Sequence, residues 1–389
     1  MKQLLLQPVD TFFFRNHQNF TAGENSNAAT IFPPHLGTLY GALRSAYIHQ
    51  KSSFTRFLEG SDLPLKEWMG TTKSPGRLKL RGCFIYANRQ AQMPLPMDYQ
   101  VVKTDNKKDE QAAEMAYPLD LMRDENPASN GRDYCLYGVQ EKKSSSSSGG
   151  FISFDQWKNE ILHRKGIEIY RSSHFIETEE KQGIARDWER KTARDGMLYH
   201  IKMSRFKSLE LGERSGFVVI CKEGPSFSDV PFLRLGGKNR PWTLQELPEK
   251  FSLFNSDEEE QIIGQIEESG IARLILLSPA VWTEQSAYYQ REKNSFKINH
   301  ELEFPILAEA MGRAILLGGW DIARNAPKAR SQAVPAGSVL YLKVAKGQAS
   351  KLVSALKDAV LSDVLGYEGY GWAVCGAGNE KFSEEDDNV

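Results

Sequence analysis

Apolar positions along the chain fall into two alternating kinds of period. "LLLQPV", Leu4 to Val9, reads as a short buried strand, and after Pro33 and Pro34 the stretch "HLGTLYGALRSAYIHQ" sets Leu36, Leu39, Tyr40, Leu43 and Tyr47 at helical spacing. "RLKLRGCFIY", Arg77 to Tyr86, alternates with Leu78, Leu80, Phe84 and Tyr86 on one face and Arg77, Lys79 and Arg81 on the other. "MLYHIKM" alternates likewise through Met197, Tyr199, Ile201 and Met203, and both segments predict antiparallel strands with one covered face. Beyond a break near Pro225 to Pro241, the pattern predicts a helix around Glu258 to Glu268 and a strand from Ala272 to Ser278. It then predicts a helix after Pro305, an apolar run from Arg313 to Trp320 and a strand from Gly337 to Val344. Leu352, Val353, Leu356 and Val360 mark a last amphipathic helix.

Strands and helices mix in both blocks without the regular parallel alternation of a doubly wound sheet, so the expected class is α+β, two sheets each backed by helices. The segments 103–111 ("KTDNKKDEQ") and 142–150 ("KKSSSSSGG") have compositions that do not support a packed core, and read as mobile insertions. The opening "MKQLLLQPVD" is too short in apolar residues for a signal peptide or a membrane span, which predicts a cytoplasmic protein.

Charge narrows the chemistry. The formal net charge is −1, so any affinity for a polyanion has to come from local basic clusters. The 4 cysteines lie far apart with no C-x-x-C pair, and none of the 7 histidines stands in a metal-ligating spacing. Neither a metal nor a cofactor is expected. The glycine-rich segment 366–378 fails the G-x-G-x-x-G spacing, and "RLGGKNR" lacks the first glycine and the hydroxyl residue of a phosphate loop. His17, in a polar loop, offers either a general base for a ribose hydroxyl or a plain hydrogen-bond donor.

What remains are cations beside aromatics. Arg15 and His17 follow Phe12, Phe13 and Phe14; Arg77, Lys79 and Arg81 form a second cluster; and Arg205 with Lys207 forms a third. Arg234, Lys238 and Arg240 make a fourth, and Arg324, Lys328 and Arg330 follow Trp320. Cations neutralise phosphates while aromatic faces stack on splayed bases, a mixture suited to single-stranded RNA.

"QPVDTFFFRNHQNFTAGE", followed by "FPPHLGTLYGALRSAY", resembles the N-terminal signature of one subunit of type III-B CRISPR effector complexes, a Cmr-module member of the repeat-associated RNA-binding (RAMP) superfamily. The resemblance continues through "TARDGMLYHIKMSRF", "FLRLGGKNR", "GGWDIARNAPKARSQAVPAGSVLYLKV" and the final glycine-rich loop. It implies two ferredoxin-like (RRM-like) domains, 1–230 and 231–389. It also implies a non-catalytic scaffold whose partners are the 5′ tag of the guide RNA, a large polymerase-like subunit and a repeated backbone subunit. The residues then expected on RNA are Phe14, Arg15, Asn16, His17, Arg44, Arg205, Arg240, Trp320, Arg324, Lys328, Arg330, Gly366, Tyr367, Gly369, Tyr370 and Gly371.

Glycines in the last loop would let a backbone approach RNA closely, with Tyr367, Tyr370 and Trp372 adding stacking faces. On that reading Gly369→Val and Gly371→Val abolish RNA retention with little change in melting temperature. The other reading makes Tyr370 and Trp372 core residues. The Ser-rich run and the tail "SEEDDNV" match no motif of the family. Two other functions stay open: a metal-independent precursor-RNA endoribonuclease with His17, His35 or His49 as base, and a protein adaptor with no RNA contact.

Overall fold

The structure, a computed structural model, describes residues 1–15, 27–28, 30–60, 62–103, 114–123, 132–208, 213–299 and 301–380. Among them no helix is long and apolar enough to cross a membrane. The chain forms two compact units that are both discontinuous in sequence. The first comprises Met1–Ala91, Ser172–Lys250 and Leu316–Arg330, and the second Gln92–Arg171, Phe251–Ile315 and Ser331–Val389. The expected halves, 1–230 and 231–389, therefore each contribute to both units.

In the first unit, β1 (Lys2–Pro8) leads to α1 (Leu36–Lys51), followed by β2 (Lys79–Ala87), β3 (Gly216–Glu223) and β4 (Pro241–Leu247). These four strands lie side by side in the order β4-β1-β3-β2, antiparallel throughout, within a sheet that continues past both ends of the set. Leu4 faces Val219 on one side and Glu246 on the other, so β1 is central. That placement explains why Leu4, Leu5 and Leu6 are buried as an unbroken run rather than alternately. Leu36, Leu39, Tyr40 and Leu43 form the buried stripe of α1, as their spacing predicted.

One expectation for β2 is corrected. The pairing with β3 slips between Gly82 and Leu80, which are opposed by Ile220 and Cys221, and Arg81 is the extra residue of the bulge. Arg81 is buried, and Leu80, Phe84 and Ile85 are covered too, so the strand has no solvated basic face. A long hairpin, Ile176–Arg186 with Ala193–Phe206, forms a separate sheet. In it Ile201 and Met203 are buried and Lys202 exposed; the side chains of Met197 and Tyr199 lie outside the description.

In the second unit, α2 (Ser256–Ser269) precedes β5 (Ile271–Leu276), followed by β6 (Glu303–Ala310), β7 (Val339–Lys343), α3 (Ala349–Asp358) and β8 (Ala373–Ala377). Asn255 and Glu258 close a capping box on α2, and Gly270, at φ 66°, ends it. These four lie side by side in the order β8-β5-β7-β6, again antiparallel, in a six-stranded sheet. Numbered along the chain, the two sets of four strands both read 4-1-3-2. The first unit has helices between its first and second strands, the second between its third and fourth.

Two further expectations fail in this unit. The segment after Pro305 is strand β6, not helix, because Phe304, Ile306 and Ala308 point inward at every second residue. The serine run is not a mobile insertion either: Ser144 and Ser145 pair with Val102 and Val101 at a sheet edge. Of the other insertion, 104–111 lies outside the described residues.

Candidate nucleic-acid interface

The three consecutive phenylalanines are anchors. Phe12 exchanges main-chain hydrogen bonds with Ser204 (2.8 and 2.7 Å), and its ring lies 5.4 Å from Phe14, 5.2 Å from Phe206 and 5.1 Å from Trp242. The Phe13 carbonyl accepts from Gly237 N–H at 2.7 Å, beside Gly236 at φ 83°, where a Cβ would come within 2.5 Å of that same oxygen. "FFF" and "FLRLGG" therefore need each other: the glycines admit the close approach that seats the rings. Phe14, expected on RNA, is buried in this cluster, while Arg15 is exposed. Asn16 and His17 lie outside the described residues.

Beside this anchor the fold gathers charges that are distant in sequence. Asp10 accepts from Arg240 at 2.9 Å and lies 3.7 Å from Arg205, which also pairs with Glu179 at 2.9 Å. Lys181 donates to the Thr11 hydroxyl at 3.0 Å. The Thr11 N–H, with Lys181, Arg240 and Arg205 assisting, holds the Asp10 carboxyl below its ordinary range despite slight burial. Two predicted RNA residues, Arg205 and Arg240, thus converge on one carboxylate. A phosphate approaching them competes with Asp10.

The other basic cluster of this unit is not a cationic platform. Arg77 lies over Trp68 at 4.8 Å and pairs with Glu67 and Glu223, and Lys79 also reaches Glu223. Arg44 is committed to the main chain: its guanidinium donates to the carbonyls of Met69 (2.6 Å) and Thr71 (2.5 Å), closing the end of the short helix Leu63–Met69.

Two hairpins carry the exposed tryptophan rings found among the described residues. In one, Trp320 opposes Pro327 and Asp321 opposes Ala326. The Asp321 carboxylate accepts from the N–H groups of Ala323 and Arg324 (3.0 and 3.1 Å), the local bonding that makes Asp a turn residue. Trp320 is 55% exposed, Ile322 66%, and Arg324, Lys328 and Arg330 are exposed on the same short arm. The other is the long hairpin of the first unit, whose turn holds Trp188, 93% exposed. Asp187 builds that turn by accepting from Glu189 and Arg190 N–H groups (2.9 and 3.0 Å). Sequence reasoning missed Trp188; "RDWERK" between two alternating segments was the available signal.

The glycine-rich loop is packed against its own unit. Gly371, at φ 80°, donates to the Pro279 carbonyl at 2.8 Å, and its carbonyl accepts from Leu361 N–H at 2.8 Å. Asp363 fastens the neighbouring turn by accepting from Thr283 and Ala287 N–H groups and the Thr283 and Ser286 hydroxyls (2.8–3.1 Å). Tyr370 and Trp372 are buried, so the core reading of both holds and the stacking reading of Tyr370 fails. Gly369 and Gly371 are buried as well; Gly366 and Tyr367 are half-buried. Among the described residues no group of three or more His, Cys, Asp or Glu side chains is placed to hold a metal ion.

Residues 4–377 match the family described as CRISPR-associated protein (Cas_Cmr3). The chain belongs to that family. The Cas_Cmr3 match runs from β1 to β8, taking in both sheets and both exposed hairpins. The fold is similar to that of a chain in the cryo-EM structure of the type III-B Cmr-beta bound to cognate target RNA, at TM-score 0.50 and 15% identity over 95% of each chain. A chain from the same assembly with target RNA and AMPPnP gives TM-score 0.49 and 16% identity over 92% of this chain and 89% of that one. No curated protein matches the sequence.

Proposed function

We propose that this chain is a non-catalytic RNA-binding subunit of a type III-B CRISPR effector ribonucleoprotein, anchoring the 5′ tag of the guide RNA and docking the large polymerase-like subunit. The repeated backbone subunit is its other neighbour. The observation that carries the reading is the match of residues 4–377 to a CRISPR-associated family. The likeness to a chain of Cmr-beta bound to cognate target RNA supports it. The 4-1-3-2 order of the two strand sets supports two ferredoxin-like domains, each with one of its crossover connections free of α-helix.

Within that role, Trp320, Arg324, Lys328 and Arg330 supply an exposed ring and three cations on one arm, the chemistry that stacks a base and neutralises its phosphates. Arg15 adds an exposed cation beside the phenylalanine anchor. The division of labour is that base pairing reads sequence while the protein reads backbone and shape. No bond-making step belongs to it. His35 stands at the entry of α1, and His49 stacks on Phe54 at 6.2 Å in its last turn.

Photocrosslinking tests this. In an effector complex reconstituted with guide RNA carrying a photoreactive 5′ tag, crosslinks should map to 316–330 and to the loop around Arg15. Absence of crosslinks to this chain supports the adaptor instead. Metal-free cleavage of repeat RNA that disappears in His17→Ala would replace the proposal with the endoribonuclease.

A further inference from the structure

In the first unit the short strand Phe232–Arg234 pairs with β4, and β4 pairs with β1. Phe232 faces Thr243, which faces Gln7; Arg234 faces Pro241, whose carbonyl accepts from Val9 N–H at 3.2 Å. Strand alternation puts these six side chains on one side of the sheet. On the other side Leu233 and Trp242 are buried, the indole 5.1 Å from Phe12. The first side meets solvent: Phe232 is 60% exposed and Val9 57%, and Arg234 and Pro241 are exposed as well.

Apolar side chains that adjoin one another in water are what interaction sites present. The charge of the neighbourhood says what this one fits. The segment 232–240, FLRLGGKNR, carries Arg234, Lys238 and Arg240 and no acidic residue. Arg240 in turn meets Asp10, the residue after Val9, beside Arg205. The exposed ring is therefore continuous with the arginine pair already described. Arg234 stands two residues from Phe232, about 6–7 Å along the strand at roughly 3.3 Å per residue. A ring and a guanidinium so spaced suit a nucleotide, whose base stacks on the ring while the planar fork takes a phosphate. The support is rigid: Trp242 Nε1 donates to the Leu235 carbonyl at 3.1 Å, and the Thr243 hydroxyl to the Gln7 carbonyl at 3.3 Å. Little ordering is left to oppose binding.

We propose that this side of the sheet takes a nucleobase of single-stranded RNA on the Phe232 ring, with Arg234 holding an adjacent phosphate. The proposal rests on the RNA-binding reading above and adds to it a contact on the sheet itself. Fluorescence anisotropy of the full chain over a salt series tests it, with a uridine oligonucleotide and an abasic ribose-phosphate oligonucleotide of equal length as probes. Phe232→Ala should weaken uridine binding roughly 5- to 150-fold, the range that base–aromatic stacking supplies, with the salt slope and melting temperature unchanged. Binding of the abasic probe should not change, and Phe232→Tyr should keep wild-type affinity for both. Arg234→Gln should lower the salt slope by roughly 0.7 for either probe.

Equal losses on the two probes, or a lowered melt in Phe232→Ala, make the ring structural and overturn the stacking site. Wild-type RNA affinity in both variants overturns it while leaving the functional proposal standing. If Phe232→Ala keeps its RNA but drops out of a reconstituted effector complex, the face docks protein and the RNA assignment falls. A wild-type chain that binds no RNA removes both proposals.

Discussion

At Gly371 the backbone stands at φ 80°, and an added Cβ would lie 2.5 Å from the Leu361 carbonyl carbon and 2.6 Å from the Ser362 nitrogen. Those are main-chain atoms inside a hydrogen-bonded turn, so a side chain there has no room to be relieved. Gly371→Val is therefore expected to lower the melting temperature sharply, whereas Tyr367→Ala, at a half-buried ring, should shift it little; thermal denaturation followed by circular dichroism checks both. An unchanged melt for Gly371→Val would return the loop to the RNA surface. Asp10 poses a question of charge instead of space. Its carboxylate sits between Arg205 and Arg240, so Asp10→Asn releases both guanidiniums from their shared partner. Guide-RNA retention at low salt should tighten. Retention that is unaltered takes the arginine pair out of the interface.

Between the elements of the second unit lies a charge cluster that no local pattern announces. Arg273 on β5 is fully buried, bonded through two nitrogens to Asp98 (2.7 and 3.1 Å) and through one to Glu160 (3.0 Å). Tyr341 donates to Asp98 at 2.7 Å and Tyr99 to Glu160 at 2.6 Å. Burial pushes the Asp98 carboxyl up, but Arg273 and Arg164 pull it down by more, so its folded value is depressed. For Glu160 burial wins over the single Arg273 contact, and its folded value is raised. The Asp98 contribution to stability is therefore complete above the ordinary Asp value of about 4 and is lost as pH falls through the depressed one. The Glu160 contribution has the opposite sense: it is present at low pH and lost as pH rises through the raised value. Arg273→Met takes the shared cation from two buried carboxylates and leaves Asp98 only Arg164, at 3.5 Å, at a cost of about 3–5 kcal/mol. Glu160 should then hold its proton and Asp98 lose most of its depression, so the variant should be relatively more stable in acid and weaken towards neutral pH. Urea melts across pH 4–7, in the range where carboxyls of ordinary value about 4 titrate, measure this; a variant that parallels the wild type in slope would show that the cluster carries no net charge linkage.

At the scale of the molecule, what the sequence revealed depended on whether a pattern was local. β1, α1, α2, β5, β7 and α3 were legible because each carries its own apolar period. Arg81 was misplaced because a bulge is a property of two strands, and β6 because Pro305 suits a helix start as well as an edge of the ladder. The serine run misled for a similar reason: Gln100, Glu114 and Arg171, which brace it through Ser144, Ser145 and Ser146, are remote in sequence. The candidate interface followed the same rule, since the cations were visible but their partner Asp10 was not. That difference decides what each arginine should do to binding. With a net charge of −1, any salt-dependent affinity for RNA has to come from local cations, not from the whole surface. Arg324 is exposed on its hairpin, 3.7 Å from Asp321, so Arg324→Ala should lower the slope of log K against log salt by roughly 0.7 with the melt unchanged. Arg44→Ala should do the reverse: its guanidinium serves the Met69 and Thr71 carbonyls, so the variant loses about 1–3 kcal/mol of stability and keeps the wild-type slope. Fluorescence anisotropy with tag-bearing RNA over a salt series, run beside urea melts, separates the two. A slope change in Arg44→Ala, or none in Arg324→Ala, would move the RNA path away from the hairpin and towards α1.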